Sequence, residues 1–167
     1  MSAIDLADRR FTVEQATEDD IPGLAALLAD DDIGSTRESP DLAPYVVAFR
    51  EIDADPQHYL AAVRDEAGDL VATLQLTVLP GLARAGARRL QVEAFRVASS
   101  TRGTGLGAAL LEWAAAYGAE RGADLVQLTS DKRRVDAHRF YERLGYTATH
   151  EGFKRALGQP AHSGSAQ

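Results

Sequence analysis

One short segment limits the folds open to this chain more than any other feature. Residues 97–108 read Val-Ala-Ser-Ser-Thr-Arg-Gly-Thr-Gly-Leu-Gly-Ala and lie between a predicted strand and a predicted helix. Glycines at alternate positions let the backbone curl and bring N–H groups toward a ligand without interference from a Cβ. Free N–H groups at the start of the helix add partial positive charge. The segment predicts either a cradle that fits a diphosphate or a tight turn with no ligand.

Two nucleotide-binding motifs share some of these glycines. A P-loop needs a Lys followed by Ser or Thr after its last glycine, but Ala108 and Ala109 stand there, so phosphoryl transfer lacks its cation. The dinucleotide fingerprint is matched by Gly103, Gly105 and Ala108, with Asp131 just beyond the next predicted strand. That fold also needs a second mononucleotide-binding half, and only 36 residues follow Asp131. The architecture therefore argues against a dinucleotide site.

Apolar periodicity along the rest of the chain predicts an α/β domain. Extended patterns predict strands at 11–15, 58–65, 70–79, 90–97, 125–129 and 146–154. Helical spacing predicts one helix after the acidic residues 18–20 and others over about 45–52, 105–121 and 135–144. A hairpin, followed by strands that alternate with helices, favours one mixed sheet with helices on both faces.

The length of 167 residues fits a single domain. We expect residues 1–9 to form a flexible N-terminal tail and residues 10–157 to form the domain. The small, polar residues 158–167 are expected to be a disordered C-terminal tail. Loop 30–44, with three consecutive acids, is the candidate substrate lid, and loop 80–87 is a second candidate for setting specificity.

The composition removes several function classes. Because the chain has no cysteine, it has no disulfide, thiolate nucleophile or cysteine-ligated metal, and we expect a cytoplasmic location. No apolar run reaches the roughly 18 to 20 residues of a membrane span, and residues 1–10 lack the apolar core of a signal peptide. No two of the four histidines have metal-ligand spacing. We therefore predict no metal site and no membrane partner.

The charge is divided unevenly along the chain. The net charge of −7 argues against nucleic acid as a partner, because clustered Lys and Arg supply most non-specific affinity for phosphates. Residues 1–70 carry 17 acids and 5 bases, whereas residues 71–167 carry 8 acids and 13 bases. The first part is suited to attract a cation, and the second to hold a small phosphorylated ligand.

The spacing Arg102-x-x-Gly105-x-Gly107 at a strand-to-helix turn resembles the acyl-CoA pyrophosphate motif of the GNAT superfamily of N-acetyltransferases. A second run, residues 137–146 (Ala-His-Arg-Phe-Tyr-Glu-Arg-Leu-Gly-Tyr), is similar to the family's Ala-x-x-x-Tyr-x-x-x-Gly-Phe/Tyr element. Both motifs follow the family's order. The resemblance implies a GNAT-like acyl-CoA N-acyltransferase fold of the α/β class, with a single mixed, mostly antiparallel central sheet of six to seven strands.

The same resemblance implies acetyl-CoA as the acyl donor and assigns residues to it. The pantetheine arm would pair with the backbone of Phe95 and Val97, and a backbone N–H near Val97 would polarise the thioester carbonyl. Arg134 stands where the family often has Asn, and a cation there would reach a phosphate. The residues expected at the diphosphate are Arg102, Gly103, Thr104, Gly105, Leu106 and Gly107.

Acetyl transfer to an amine needs a base, because an ammonium group with a pKa near about 10.4 is mostly protonated at neutral pH. Glu93, in the apolar run that ends at Val97, is the candidate base, acting directly or through water. Burial would raise its pKa, and the alternative is a structural ion pair with Arg88, Arg96 or another cation. Tyr141 of the second motif is the candidate acid for the coenzyme A thiolate, and the alternative is a core aromatic.

The expected reaction is direct attack of a primary amine on the thioester, with a small cationic molecule as acceptor. A polyamine, an amino acid derivative, an aminoglycoside-like antibiotic or an aminophosphonate fits this chemistry. A protein or peptide amine is an alternative acceptor. A non-catalytic acyl-CoA-binding sensor is an alternative function, which would need neither Glu93 nor Tyr141. The sequence leaves open whether the chain forms a homodimer.

Overall fold

A computed structural model of the chain describes residues 1–7, 9–30 and 34–157. The chain divides into two compact units, the first ending at Leu128 and the second beginning at Thr129. The sheet belongs to the first unit, and the second unit contains one of the helices. None of the helices in the described ranges has both the length and the apolar character that crossing a bilayer requires.

Within the described ranges, six strands form one sheet and follow one another in sequence order. Neighbours from the first to the fifth strand pair antiparallel, and the last pair is parallel. A parallel pair needs a crossover connection, which the glycine turn and its helix supply. The predicted mixed, mostly antiparallel sheet is therefore confirmed. The strands are β1 (Ser2–Leu6), β2 (Arg9–Gln15), β3 (His58–Arg64), β4 (Leu70–Leu79), β5 (Arg89–Val97) and β6 (Leu125–Leu128).

Four helices of the described residues lie close to the positions that the periodicity predicts, and a further one-turn helix falls within the segment predicted as loop 80–87. They are α1 (Ile21–Ala29), α2 (Ala43–Ala54), the one-turn α3 (Ala83–Gly86), α4 (Leu106–Glu120) and α5 (Val135–Arg143). The start of α1 is tied to the sheet, because the buried Asp20 carboxylate accepts a hydrogen bond from the Thr17 N–H at 2.8 Å and pairs with the Arg64 guanidinium. This contact holds the helix over β3.

The sheet carries helices on both faces, as predicted. On one face, Leu24 of α1 and Phe49 of α2 pack against Ala62 of β3. On the other face, Gly118 of α4 lies directly over Leu90 of β5, which is fully buried. Successive residues of a strand point to opposite faces, so one apolar strand can serve both layers. The core therefore consists of two layers that share the central strands.

Two segments, at 1–9 and at 146–154, differ from their predictions. The sequence indicates a flexible tail at 1–9, but Ser2–Leu6 forms β1 and pairs antiparallel with β2. The pairing depends on the free edge of β2, which local composition does not reveal. The strand predicted at 146–154 is absent from the structure, where 147–154 is non-strand and exposed to solvent. The C-terminal tail predicted at 158–167 lies outside the described residues.

Gly118→Val is expected to lower the free energy of unfolding by about 1–3 kcal/mol, because overpacking a filled core forces its neighbours to shift. A Cβ added at Gly118 lies 3.1 Å from two side-chain atoms of Leu90. Urea unfolding measures the change. Ala116→Val, at an exposed position of the same helix, is the matched control and should cost less than about 1 kcal/mol. Equal effects of the two variants would contradict the close packing.

Candidate functional site

The glycine turn between β5 and α4 uses backbone conformations that favour glycine. Gly103 and Gly105 have φ values of 81° and 90°, and Gly105 immediately precedes α4. An added Cβ at either position meets no atom within 4 Å. The need for glycine is therefore conformational, and the space beside the turn is open to a ligand.

Two threonines stabilise the turn through their hydroxyl groups. Thr101 is buried and donates to the carbonyl of Ala98 at 3.2 Å. Thr104 donates to the carbonyl of Thr101 at 2.8 Å, and its oxygen accepts from the Leu106 N–H at 3.4 Å. The N–H groups of the following first-turn residues have no acceptor within the helix, by helix geometry. The turn thus presents the donors that an anion requires.

Arg102 is held by acceptors from two parts of the first unit. Its Nε donates to the Val97 carbonyl at 3.2 Å, and its Nη2 lies 3.2 Å from both the main-chain and a carboxylate oxygen of Asp30. The same carboxylate accepts from the Ser99 N–H at 3.3 Å. The sequence places Asp30 at the start of a substrate lid and does not predict this contact. Arg102, which the family resemblance assigns to a phosphate, is therefore paired with the Asp30 carboxylate in this structure.

β5 becomes irregular shortly before its end. Its pairing with β4 shifts after Thr73, and Ala94 has a φ of 51°, which together identify a β-bulge. Its pairing with β6 ends at Val92, while β5 itself continues to Val97. The segment that includes Phe95 therefore extends past the paired part of this edge. Binding of a strand-like ligand at Phe95 and Val97 stays a prediction, which this geometry would accommodate.

Glu93 lies immediately before the bulge, and its side chain is exposed. The expectation that Glu93 is buried, which came from the apolar run around it, is therefore wrong. Glu93 is the first residue of β5 beyond its pairing with β6, which ends at Val92. An exposed carboxylate remains accessible to an amine or to water.

Arg88 and Arg96, the two cations named as structural partners of Glu93, have the following contacts. The guanidinium of Arg88 donates to the Arg121 carbonyl at 3.4 Å, and that of Arg96 donates to the Phe95 carbonyl at 2.9 Å. Neither contact involves the Glu93 carboxylate. The role of Glu93 as a base stays a prediction.

The second unit contains the remaining two predicted site residues. Arg134 precedes α5 and donates its N–H to the Asp131 carbonyl at 2.9 Å. Tyr141 lies on α5, where its ring centre is 5.4 Å from that of Phe140 and 5.9 Å from that of Tyr146. These ring contacts are compatible with a core aromatic and leave its hydroxyl role untested. Both proposed roles of Tyr141, and the contact of Arg134 with a phosphate, stay predictions.

The features of the first unit define a class of protein. A mixed six-stranded sheet, a strand that continues past its parallel neighbour, and a glycine turn at the start of the following helix are the architecture of acyl-CoA N-acyltransferases. In the described residues, no three His, Asp or Glu side chains converge as a metal site requires.

Comparison with known proteins gives the family. Residues 23–146 match the model of the acetyltransferase (GNAT) family. The chain therefore belongs to this family, and the resemblance seen in its two motifs is confirmed. Membership identifies the protein as an N-acetyltransferase.

Individual relatives cover most of the chain. The aminoalkylphosphonate N-acetyltransferase of Salmonella typhimurium is 30% identical over 146 residues, which cover 87% of this chain and 90% of that protein. A crystal structure from Bacillus halodurans, described as a transcriptional regulator, has a TM-score of 0.83 and 41% identity, covering 88% of this chain and 99% of that one. The glucosamine-6-phosphate N-acetyltransferase of Arabidopsis thaliana has a TM-score of 0.72 at 20% identity, with 88% and 98% covered, and is similar in fold.

Proposed function

We propose that this protein transfers an acetyl group from acetyl-CoA to a primary amine of a small molecule, by direct attack of the amine on the thioester. The glycine turn carries the proposal. Gly103 and Gly105 adopt left-handed backbone at the start of α4, beside open space. Main-chain donors and the partial positive charge of a helix start suit a diphosphate.

The residues of the turn fit the group that they would hold. The backbone from Gly103 to Gly107 would bind the diphosphate, and the end of β5 would pair with the pantetheine arm as an added strand. Arg102 would exchange the Asp30 carboxylate for a phosphate oxygen. A guanidinium donates to a phosphate oxygen in the same way as to a carboxylate oxygen. Acetyl-CoA supplies the activated acetyl group, and these residues would hold that group in place for the reaction.

The chemistry then requires two proton transfers. The amine nitrogen forms a bond to the carbonyl carbon and the carbon–sulfur bond breaks, while the amine gives up a proton. Glu93 would accept this proton, directly or through water, and its exposed carboxylate is accessible for that purpose. Tyr141 would give a proton to the leaving thiolate, an assignment that rests on the sequence motif alone.

A small amine acceptor is supported by the charge of the chain and by its relatives. Residues 1–70 carry 17 acids against 5 bases, which would draw a cation toward the protein. The name of the Salmonella relative makes aminoalkylphosphonates candidates for the acceptor panel. Protein or peptide amines belong in the same panel as the alternative acceptors.

Gly105→Glu is expected to abolish the thermal stabilisation by acetyl-CoA, because its side chain would place a negative charge in the open space beside the turn. For the native protein, acetyl-CoA at about a hundred times its Kd should raise the Tm by about 5 °C or more. Differential scanning fluorimetry measures both shifts.

Gly68→Glu is the matched control for this substitution. Gly68 also has a positive φ, of 86°, and also has open space around an added Cβ, but it lies in the hairpin between β3 and β4. Backbone strain is therefore similar in the two variants, and the Gly68 variant should keep the full shift. No shift in the native protein would overturn the proposed cofactor site.

Glu93→Gln is expected to lower kcat/KM by about 10²-fold or more, because the amide cannot accept a proton. The variant should also lose the decline in kcat/KM that protonation of a base causes at acidic pH. Thiol release across a pH series measures both effects. Glu112→Gln, at an exposed position on α4, is the control. An unchanged rate and pH profile would remove Glu93 from the mechanism.

Tyr141→Phe is expected to lower kcat by about 10²-fold while leaving the Tm nearly unchanged, because the ring and its contacts are kept and the hydroxyl is lost. Tyr146→Phe removes a hydroxyl from a neighbouring ring and serves as the control. Steady-state kinetics and thermal unfolding make the comparison. Full activity of the Tyr141 variant would show that this residue is a core aromatic.

A further inference from the structure

A cavity of about 190 Å³ lies between α1, α2 and the sheet. Aliphatic and aromatic side chains form most of its wall, among them Leu24, Leu28, Phe49, Ile52 and Leu60. All of the residues that line it belong to the described part of the first unit, and none of them carries a formal charge. The cavity is therefore suited to an apolar group rather than to an ion.

Two of the polar side chains in its wall already have hydrogen-bond partners. The Tyr45 hydroxyl donates to the Glu38 carboxylate at 2.6 Å, and this hydrogen bond raises the pKa of that hydroxyl above its usual value. The Thr73 hydroxyl donates to the Ala61 carbonyl at 2.8 Å. The side-chain amide of Gln75 is the remaining polar group in the wall. It lies at the boundary between the apolar wall of the cavity and the polar residues described next.

Beyond Gln75, the same face of the sheet is polar. The Nε2 of Gln75 lies 3.5 Å from Nδ1 of His58, and the Thr77 hydroxyl oxygen lies 2.9 Å from the same nitrogen. Glu93 is the residue directly opposite Gln75 on β5, so their Cβ atoms are within about 5.5 Å. His58, Gln75, Thr77 and Glu93 form a polar strip beside the apolar cavity. Glu93 supplies the carboxylate of this strip, and the Asp55 carboxylate lies 3.9 Å from His58 Nε2 at its other end.

Ala94 connects the cavity to the carboxylate of the strip. It is the bulged residue of β5, its backbone lies next to Glu93, and it also lines the cavity. A molecule whose apolar end fills the cavity would therefore have its other end near Glu93. An ammonium group would be attracted to the Glu93 carboxylate by its opposite charge. An alkyl chain would be stabilised against the apolar wall by the hydrophobic effect.

We propose that the acceptor is an amphipathic primary amine, whose alkyl or arylalkyl group fills the cavity while its nitrogen lies at the polar strip beside Glu93. This inference rests on the proposed transfer to an amine and adds the chemical class of the acceptor. A phosphonate or a second ammonium group in the cavity would lie against a wall that has no charged side chain of its own, which is unfavourable. The acceptor thereby differs from the aminoalkylphosphonate in the name of the Salmonella relative.

A series of linear primary amines from propylamine to hexylamine tests the proposal. We expect kcat/KM to rise about four-fold with each methylene until the cavity is filled, because each buried methylene adds a similar hydrophobic stabilisation. Thiol release from acetyl-CoA measures the rates, and 2-aminoethylphosphonate is assayed beside the series. A flat series, or a preference for the phosphonate over hexylamine, would overturn the proposal.

Ala48→Phe is the variant that probes the cavity directly. Ala48 lines the cavity yet is exposed, so a larger side chain there would obstruct the opening without disrupting the core. For this variant, kcat/KM should not rise with the chain length of the amine. Ala26→Phe is the matched control, since Ala26 is an exposed position on α1 outside the lining, and it should keep the native trend. The same trend in both variants would also contradict the assignment.

A binding measurement separates this proposal from the proposed function. Hexylamine alone should raise the Tm of the native protein and of Ala26→Phe, but not that of Ala48→Phe. If this pattern holds while no amine releases thiol, acetyl transfer fails and the cavity assignment stands. If a polar amine is acetylated while the alkylamine series is flat, acetyl transfer stands and the cavity assignment fails.

Discussion

The irregular backbone of β5 is the constraint on which the rest of the structure depends. Its first half pairs on both sides, with β4 and β6, and its pairing with β6 ends at Val92. The bulge at Ala94 then changes the register against β4. A bulge bends a strand and redirects its side chains. Glu93 is exposed immediately before this bulge, Ala94 at the bulge lines the cavity, and β5 leads through the glycine turn into α4.

Some of the opposite charges on the two parts of the chain pair with each other inside the folded protein. The acidic first part and the basic second part suggest separate tasks, with one part for a cation and the other for phosphates. In the structure, Asp30 from the first part pairs with Arg102 from the second, at the turn itself. Both side chains are about half exposed, so the pair contributes little to stability. Its proposed importance is that a phosphate would exchange with a carboxylate rather than approach a free cation.

Local patterns in the sequence predicted most of the fold. The hairpin of β3 and β4, the long helix α4 and the parallel strand β6 all lie within a few residues of their predicted positions, because apolar periodicity reports directly on burial. The sequence does not predict β1, because this strand is stabilised by pairing with an edge strand, a contact that its own composition does not encode. The strand predicted at 146–154 is absent, and residues 147–154 are exposed, so burial does not support the extended pattern there.

The sequence by itself determined the turn and the family. Glycines at 103 and 105 are required because the backbone there is left-handed, a local property that residue types reveal without the rest of the fold. The tertiary structure decided how the site is surrounded. The exposure of Glu93, the partner of Arg102, and an apolar cavity that ends at a polar strip all depend on where distant elements end or meet. Such contacts join residues far apart in the chain, so no local pattern specifies them.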